Sequence, residues 1–394
     1  MQNRWLILFL LFATRLGMGF QFQSVGSVSA NLVHELGFSN TEIGALIGMF
    51  MLPGVILAFP SGWLGRWASD RSIITVGLLS LSIGGVGFLI SKDFLPMGVG
   101  RFVCGVGFVL TTVYFTKMAV DWFQDRELAT ALSLLIISWP GGIALSQIIH
   151  PHVALNFGWQ WAIATASIFC FVAAMAISSL YQPPPKILLE NDGQPQGQRF
   201  TSYEWLKTSM AAFSWSFYNA GYLVFLSFSV NALIESGTAN YQATVMVSIA
   251  SFLVMISIPL GGVVSDKLNI PRFAVILSSS VATLCLLTLS YEHFALIACI
   301  LFGTIGMCSG GIIIALTGQA IPSEKRAYGM GIYQTFYFVF TAPAPLVGGW
   351  LYDLTNSANS AMAFGAFLFT LSGIFYFVFL RINLNGKVSI CSDP

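Results

Sequence analysis

The sequence predicts an all-α membrane protein of twelve transmembrane helices, set in two six-helix bundles related by a pseudo-two-fold axis. Three observations predict it: scarce charge, long uncharged runs at regular spacing, and a repeat with a fixed offset. Of 394 residues, 56% are hydrophobic and only 8% charged, whereas soluble domains carry about 25% charged residues. No Asp, Glu, Lys or Arg occurs in 43–65, 72–91, 208–234, 236–265, 327–352 or 354–380. The uncharged run 128–185 holds two spans around the break "HPHVALNFGW". A spanning helix needs about 20 apolar residues.

In order, the spans fall near 5–30, 43–65, 72–91, 96–118, 128–149, 158–180, 208–234, 241–264, 273–291, 294–320, 328–352 and 358–380. Transmembrane strands are excluded, because they are short and alternate in polarity. The first run reads as a retained helix rather than a signal peptide, since Arg15 interrupts it and "VSA" (28–30) lies too far beyond. The stretch 181–207, rich in Pro, Gly and Gln, reads as a linker between bundles at 1–180 and 208–394.

Charge sets the orientation. With the N-terminus inside, fourteen Lys and Arg residues fall on the inner side and Lys92 alone on the outer. Such a bias marks the cytoplasmic face, so both termini are expected there. The formal net charge of +1 offers no basic stripe for nucleic acid. Cys104, Cys170, Cys285, Cys299 and Cys308 fall singly inside spans, without metal-ligand spacing, and read as small packing residues. No metal or cofactor is expected. The expected partners are the lipid bilayer and a small molecule, with the chain a monomer in a bacterial inner membrane.

The halves match at an offset of 200: Gly62 pairs with Gly262 and Arg126 with Arg326. Two parallel six-helix repeats describe one carrier architecture. The loop between spans two and three reads "GWLGRWASDR" (62–71), and its echo "GVVSDKLNIPR" (262–272). Span four carries "RFVCGVG" (101–107), span five "WPGG" (139–142), and "PSEKRAYGMGIY" (322–333) enters span eleven.

In these stretches the sequence resembles the major facilitator superfamily of secondary transporters, over essentially its whole length. That family's loop is Gly-x-x-x-Asp-Arg/Lys-x-Gly-Arg-Arg/Lys. The second copy fits its first half with Gly262, Asp266 and Lys267, while Asn269 replaces the later glycine. The first copy reverses the charges, with Arg66 in place of the acid and Asp70 in place of the base. The resemblance implies that Arg66, Asp70, Asp266 and Lys267 form cytoplasmic gate clasps. The competing reading is that these loops only obey the positive-inside bias.

All sixteen acids lie in loops, span boundaries or termini, and, apart from Lys117 at the inner end of span four, only Arg15 and Arg101 are basic residues within spans. A charge at mid-bilayer costs at least about 2.5–3.5 kcal/mol on insertion scales, so both are functional candidates. A guanidinium suits a two-pronged grip on a carboxylate. The resemblance places spans one, four, seven and ten along the central path, and a mid-span arginine in span one resembles members that carry organic or small inorganic anions, the cyanate-transporter-like group included. Helical spacing sets Phe12, Gly19, Phe22 and Gly26 beside Arg15, and Gly105, Phe108 and Thr112 beside Arg101. The glycines are expected to leave room for the guanidinium. Trp215, Tyr218, Asn219 and Tyr222 share one face of span seven, and Tyr333, Phe336, Tyr337 and Phe340 one face of span eleven. The bland alternatives stay open: aromatics that only pack helices, and arginines bonded to helix carbonyls.

The expectation is therefore a secondary transporter of a small anion, working by alternating access. The runner-up is a proton-driven drug or neutral-solute carrier, for which no buried acid is visible. A membrane enzyme would need intramembrane acid pairs or histidine clusters. His34, His150, His152 and His293 instead fall at expected outer edges. A channel or receptor would leave the duplicated loops unexplained.

Overall fold

A computed structural model describes residues 4–61, 64–123, 127–183, 200–321 and 325–390. Span 1 is Arg4–Ser27, span 2 Asn40–Met51 with Pro53–Ser61, span 3 Asp70–Ile90, span 4 Phe94–Phe123, span 5 Leu128–Phe157 and span 6 Trp159–Leu180. Span 7 is Ser202–Glu235, span 8 Asn240–Leu268 and span 9 Pro271–Thr288. Span 10 joins Ala295–Leu301, a π-helical turn at Phe302–Gly306, and Gly310–Ala320. Span 11 is Arg326–Thr341 with Ala344–Thr355, and span 12 is Ala358–Ile390. Gly62, Arg126 and residues 184–199 of the expected linker lie outside the described residues.

Among the described residues eleven helical stretches are long and apolar enough to cross a membrane. Span 11 falls short because it breaks at Ala342–Pro343. Proline lacks the N–H that would close the turn, and its ring clashes with the carbonyl four residues back. Two start points come earlier than the charge-free runs suggest. Span 2 begins at Asn40 because Ser39 and Glu42 form a capping box, and span 7 begins at Ser202, not 208, because Thr201 and Glu204 form another. Span 5 continues through Pro151 to Phe157, well past 149, and a single residue, Gly158 at φ 94°, turns the chain into span 6.

Most packing is within spans 1–6 or within spans 7–12; between the halves, span 2 packs on span 11 and span 5 on span 8. Advancing each span by six turns the 2/11 pair into 8/5. The interface thus obeys the same pseudo-two-fold relation as the repeat.

The halves are bonded together toward the face opposite the termini. There Asp353, ending span 11, accepts hydrogen bonds from Asn40 N (3.0 Å), Asn40 Nδ2 (2.9 Å), Thr41 N (2.7 Å) and Thr41 Oγ1 (2.5 Å). A carboxylate at a helix N-terminus meets unpaired N–H groups and the positive end of the dipole. Gly44 and Gly349 let the two backbones touch: a Cβ at Gly44 would fall 2.1 Å from Pro345 O, and one at Gly349 2.1 Å from Asn40 O. Gln23 Nε2 donates to Leu226 O at 3.2 Å, and Ser251 Oγ donates to Gln147 Oε1 at 2.7 Å. At the terminus face, by contrast, Arg4–Glu127 (2.9 Å), Lys117–Asp70 (2.5 Å) and Lys325–Glu204 (2.7 Å) each pair within one half.

Candidate functional site

Arg15 sits half-buried in span 1. Among the described residues it makes no hydrogen bond and no ion pair; its electrostatic neighbour is Tyr337 of span 11, in the other half. From Tyr337 an aromatic wall runs both ways. Trp215 lies 6.5 Å away between ring centroids and stacks on Tyr218 at 5.9 Å. Phe338 lies 4.9 Å away and leads to Phe108 at 6.3 Å, Trp139 at 4.9 Å from Phe108, and Phe22 at 5.3 Å from Trp139. Phe50 closes this first-half cluster, 5.2 Å from Phe22 and 5.3 Å from Phe108. The wall crosses the interface between the halves, and beside Tyr337 it meets a guanidinium that has neither hydrogen bond nor ion pair among the described residues.

Span 10 breaks beside this wall, and the break is chemically satisfied. Tyr218 Oη donates to Met307 O at 2.6 Å, and Ser278 Oγ to Gly306 O at 2.8 Å. Carbonyls freed by an interrupted spanning helix need such partners, since lipid offers none. Tyr218 therefore has a helix-bracing bond. Asn219 turns its amide nitrogen back to Trp215 O at 2.8 Å. Tyr222 is buried with its hydroxyl unpartnered, near Ser251 but outside hydrogen-bond geometry.

The two intramembrane arginines part company. Arg101 is fully buried, and its Nε, Nη1 and Nη2 donate to Leu46 O (3.2 Å), Gln21 O (3.2 Å) and Phe22 O (2.9 Å). Its guanidinium also lies 4.6 Å from the Phe50 ring centroid. It ties span 4 to spans 1 and 2, and with three nitrogens committed to carbonyls it presents no free fork to a solute. Arg101→Leu is expected to lower the unfolding temperature sharply, because it removes the three charge-assisted hydrogen bonds that tie span 4 to spans 1 and 2, each worth about 1.5–3 kcal/mol. Arg101→Lys should recover part of that loss, and thermal unfolding of the purified variants checks both.

Gly19 does not leave room for Arg15. A Cβ at Gly19 would fall 2.4 Å from Trp139 O, and one at Gly142 2.0 Å from Leu16 O. They let spans 1 and 5 pack backbone to backbone. Phe336 and Phe340 likewise pack on Phe213, at 5.2 and 5.3 Å, leaving Tyr337 as the span 11 aromatic within electrostatic reach of Arg15. The loop residues divide too. Asp70 pairs with Lys117 of span 4, while Asp266 and Lys267 are exposed and have no ion pair among the described residues; the side chain of Arg66 lies outside the described residues.

Sequence reading missed Asp353, Trp139, Phe50 and the interior position of His150. "WPGG" marked Trp139's neighbourhood, and the capping box at Ser39 marked the helix end that Asp353 caps. Neither pattern names its long-range partner.

Two bundles joined by a two-fold interface, with Arg15 beside an aromatic wall between them, have the architecture of a membrane carrier. Comparison with known proteins agrees: residues 7–345 match the Major Facilitator Superfamily, and the chain belongs to that family. It is a multi-pass integral membrane protein and a secondary transporter of small solutes. It is 21% identical to the "Probable galactarate/D-glucarate transporter GudP" of Bacillus subtilis (strain 168), over 92% of this chain and 88% of that one. It is 26% identical to the "Uncharacterized transporter YycB" of the same organism, over 90% and 88%. Its fold superposes with a TM-score of 0.79 on a bacterial homologue of the human lysosomal transporter Spinster, in an inward-facing and occupied conformation. That match covers 98% of this chain and 99% of the other at 13% identity.

Proposed function

We propose that the chain carries a small organic anion by alternating access, with Arg15 as the anchor for the carboxylate. The observation behind this reading is the half-buried guanidinium of Arg15, without hydrogen bond or ion pair and facing Tyr337 of the other half. An unpaired charge in a protein interior is costly until a counter-charge meets it. A carboxylate supplies that counter-charge, and Tyr337 and Trp215 wall the solute's body. Because Arg15 and Tyr337 belong to different halves, a solute held between them would couple binding to the relative position of the halves. The likeness to a galactarate/glucarate transporter favours a hydroxylated acid of that size. Phe22 and Tyr218 support the wall, Asn219 and Tyr222 border it, and Arg101 braces it.

Proteoliposomes loaded with unlabelled D-glucarate should take up labelled D-glucarate by exchange. Sorbitol, a neutral polyol of the same length, should be neither taken up nor able to compete. Exchange of sorbitol alone would reject an anionic substrate.

The excess of Lys and Arg on the terminus face supports termini on the cytoplasmic side of a bacterial inner membrane, with bundles 1–180 and 208–394 joined through 181–207 as part of the same proposal. The bonded face is then the outer one, and the conformation is inward-facing. Lys267→Cys should react with an impermeant maleimide only from the cytoplasm, and Asp93→Cys only from outside, in a cysteine-free background. The opposite pattern would invert the assignment.

A further inference from the structure

Among the described histidines one is interior. His150 of span 5 is fully buried, whereas His34, His152 and His293 are exposed. Its Nδ1 lies 2.7 Å from Ser146 Oγ, and that oxygen lies 3.2 Å from Ser27 Oγ of span 1. Ser27 in turn lines a cavity of about 130 Å³ between the halves, together with Gln23, Gln147, Asn231 and Thr244. The imidazole Nε2 is buried without a partner, and the ring packs 4.1 Å from the Phe20 ring. With Nδ1–H donating to Ser146, Nε2 presents a bare lone pair, which is a proton acceptor.

Among the described residues no counter-charge faces it. Spans 1, 4, 6 and 8 pack on span 5. On span 1, Arg15 faces Tyr337. On span 4, Arg101 is bound to carbonyls, Cys104 donates to Leu81 O, and Lys117 lies between Asp70 and Asp121. On span 6, Cys170 donates to Gly17 O. On span 8, Tyr241, Asp266 and Lys267 are exposed at the ends. Tyr222 of span 7 lies near Ser251, the residue bonded to Gln147.

We infer that His150 is a proton-binding site and that its protonation favours opening of the face opposite the termini. A proton on Nε2 in the bonded arrangement is an uncompensated interior charge. Separation of Gln147 from Ser251 would admit water to the cavity behind which the imidazole sits, and hydration tolerates the charge. The proton therefore binds one arrangement better than the other, and mass action couples the two equilibria. The sign follows: the bonded face prevails at high pH, and acidification populates the open face. One proton shifts that ratio by up to about tenfold per pH unit. The inference rests on the alternating movement of the halves, but not on the identity of the solute.

Spin labels at Lys92→Cys and Tyr291→Cys, one in each half on that face, report the opening by distance measurement from pH 8 to pH 5, with the native cysteines replaced. The expected result is a longer distance growing on acidification, unchanged by His152→Gln and lost in both His150→Gln and His150→Asn. The two amides stay neutral across this range and can still bond Ser146. No pH response in the otherwise unaltered protein overturns the inference without any His150 variant. A response that survives in either neutral variant assigns the proton to another group, such as Asp353, and overturns it too.

Discussion

Arg15→Gln is expected to insert and fold normally yet bind the proposed anionic solute roughly ten- to a hundredfold more weakly. The estimate comes from losing charge-assisted hydrogen bonds worth about 1.5–3 kcal/mol. Removal of Arg15 leaves no buried group orphaned, because Arg15 bonds to none among the described residues; the variant therefore reports on the solute rather than on packing. Arg15→Lys keeps the charge but loses the planar fork, so it should retain part of the affinity and transport poorly. Arg101 variants should show the reverse pattern, a loss of stability ahead of any loss of affinity. Calorimetric titration of the purified proteins, read beside their unfolding temperatures, separates the two. Wild-type affinity in Arg15→Gln would make Arg15 a passive residue.

The second large effect belongs to Asp353. Its carboxylate accepts four hydrogen bonds from Asn40 and Thr41 across the halves. Asp353→Ala removes all four, and as they share one carboxylate their energies do not add. A net loss of about 3 kcal/mol, taken as one strong charged hydrogen bond, would raise the ratio of the open to the bonded arrangement of that face roughly a hundredfold. The prediction is a population shift in the label pair at positions 92 and 291, toward longer distances at pH 8. An unaltered distribution would mean that the glycine-mediated contact of spans 2 and 11 holds the face by itself.

The spans were legible because burial in lipid forbids charge over some twenty residues, and that rule writes itself into every uncharged run. Arg15 was legible for the same reason, as an exception inside such a run. What Arg101 binds was not, since a main-chain carbonyl has no side-chain signature; the sequence left its two readings level, and three bonds to Leu46, Gln21 and Phe22 separate them. Gly19 was read as space because a missing side chain looks the same whether a ligand or a neighbouring backbone fills it. Asp353 looked like an ordinary boundary acid, its partners lying 312 and 313 positions away. The break "HPHVALNFGW" sets His150 at a span edge, yet the helix runs on to Phe157.

The central claim is that Arg15 holds the solute's carboxylate, and a structure of the anion-bound protein tests it most directly. The account predicts carboxylate oxygens about 2.7–2.9 Å from the Arg15 guanidinium nitrogens, with the solute's body against Tyr337 and Trp215. An anion bound elsewhere, with Arg15 turned to helix carbonyls, would contradict it.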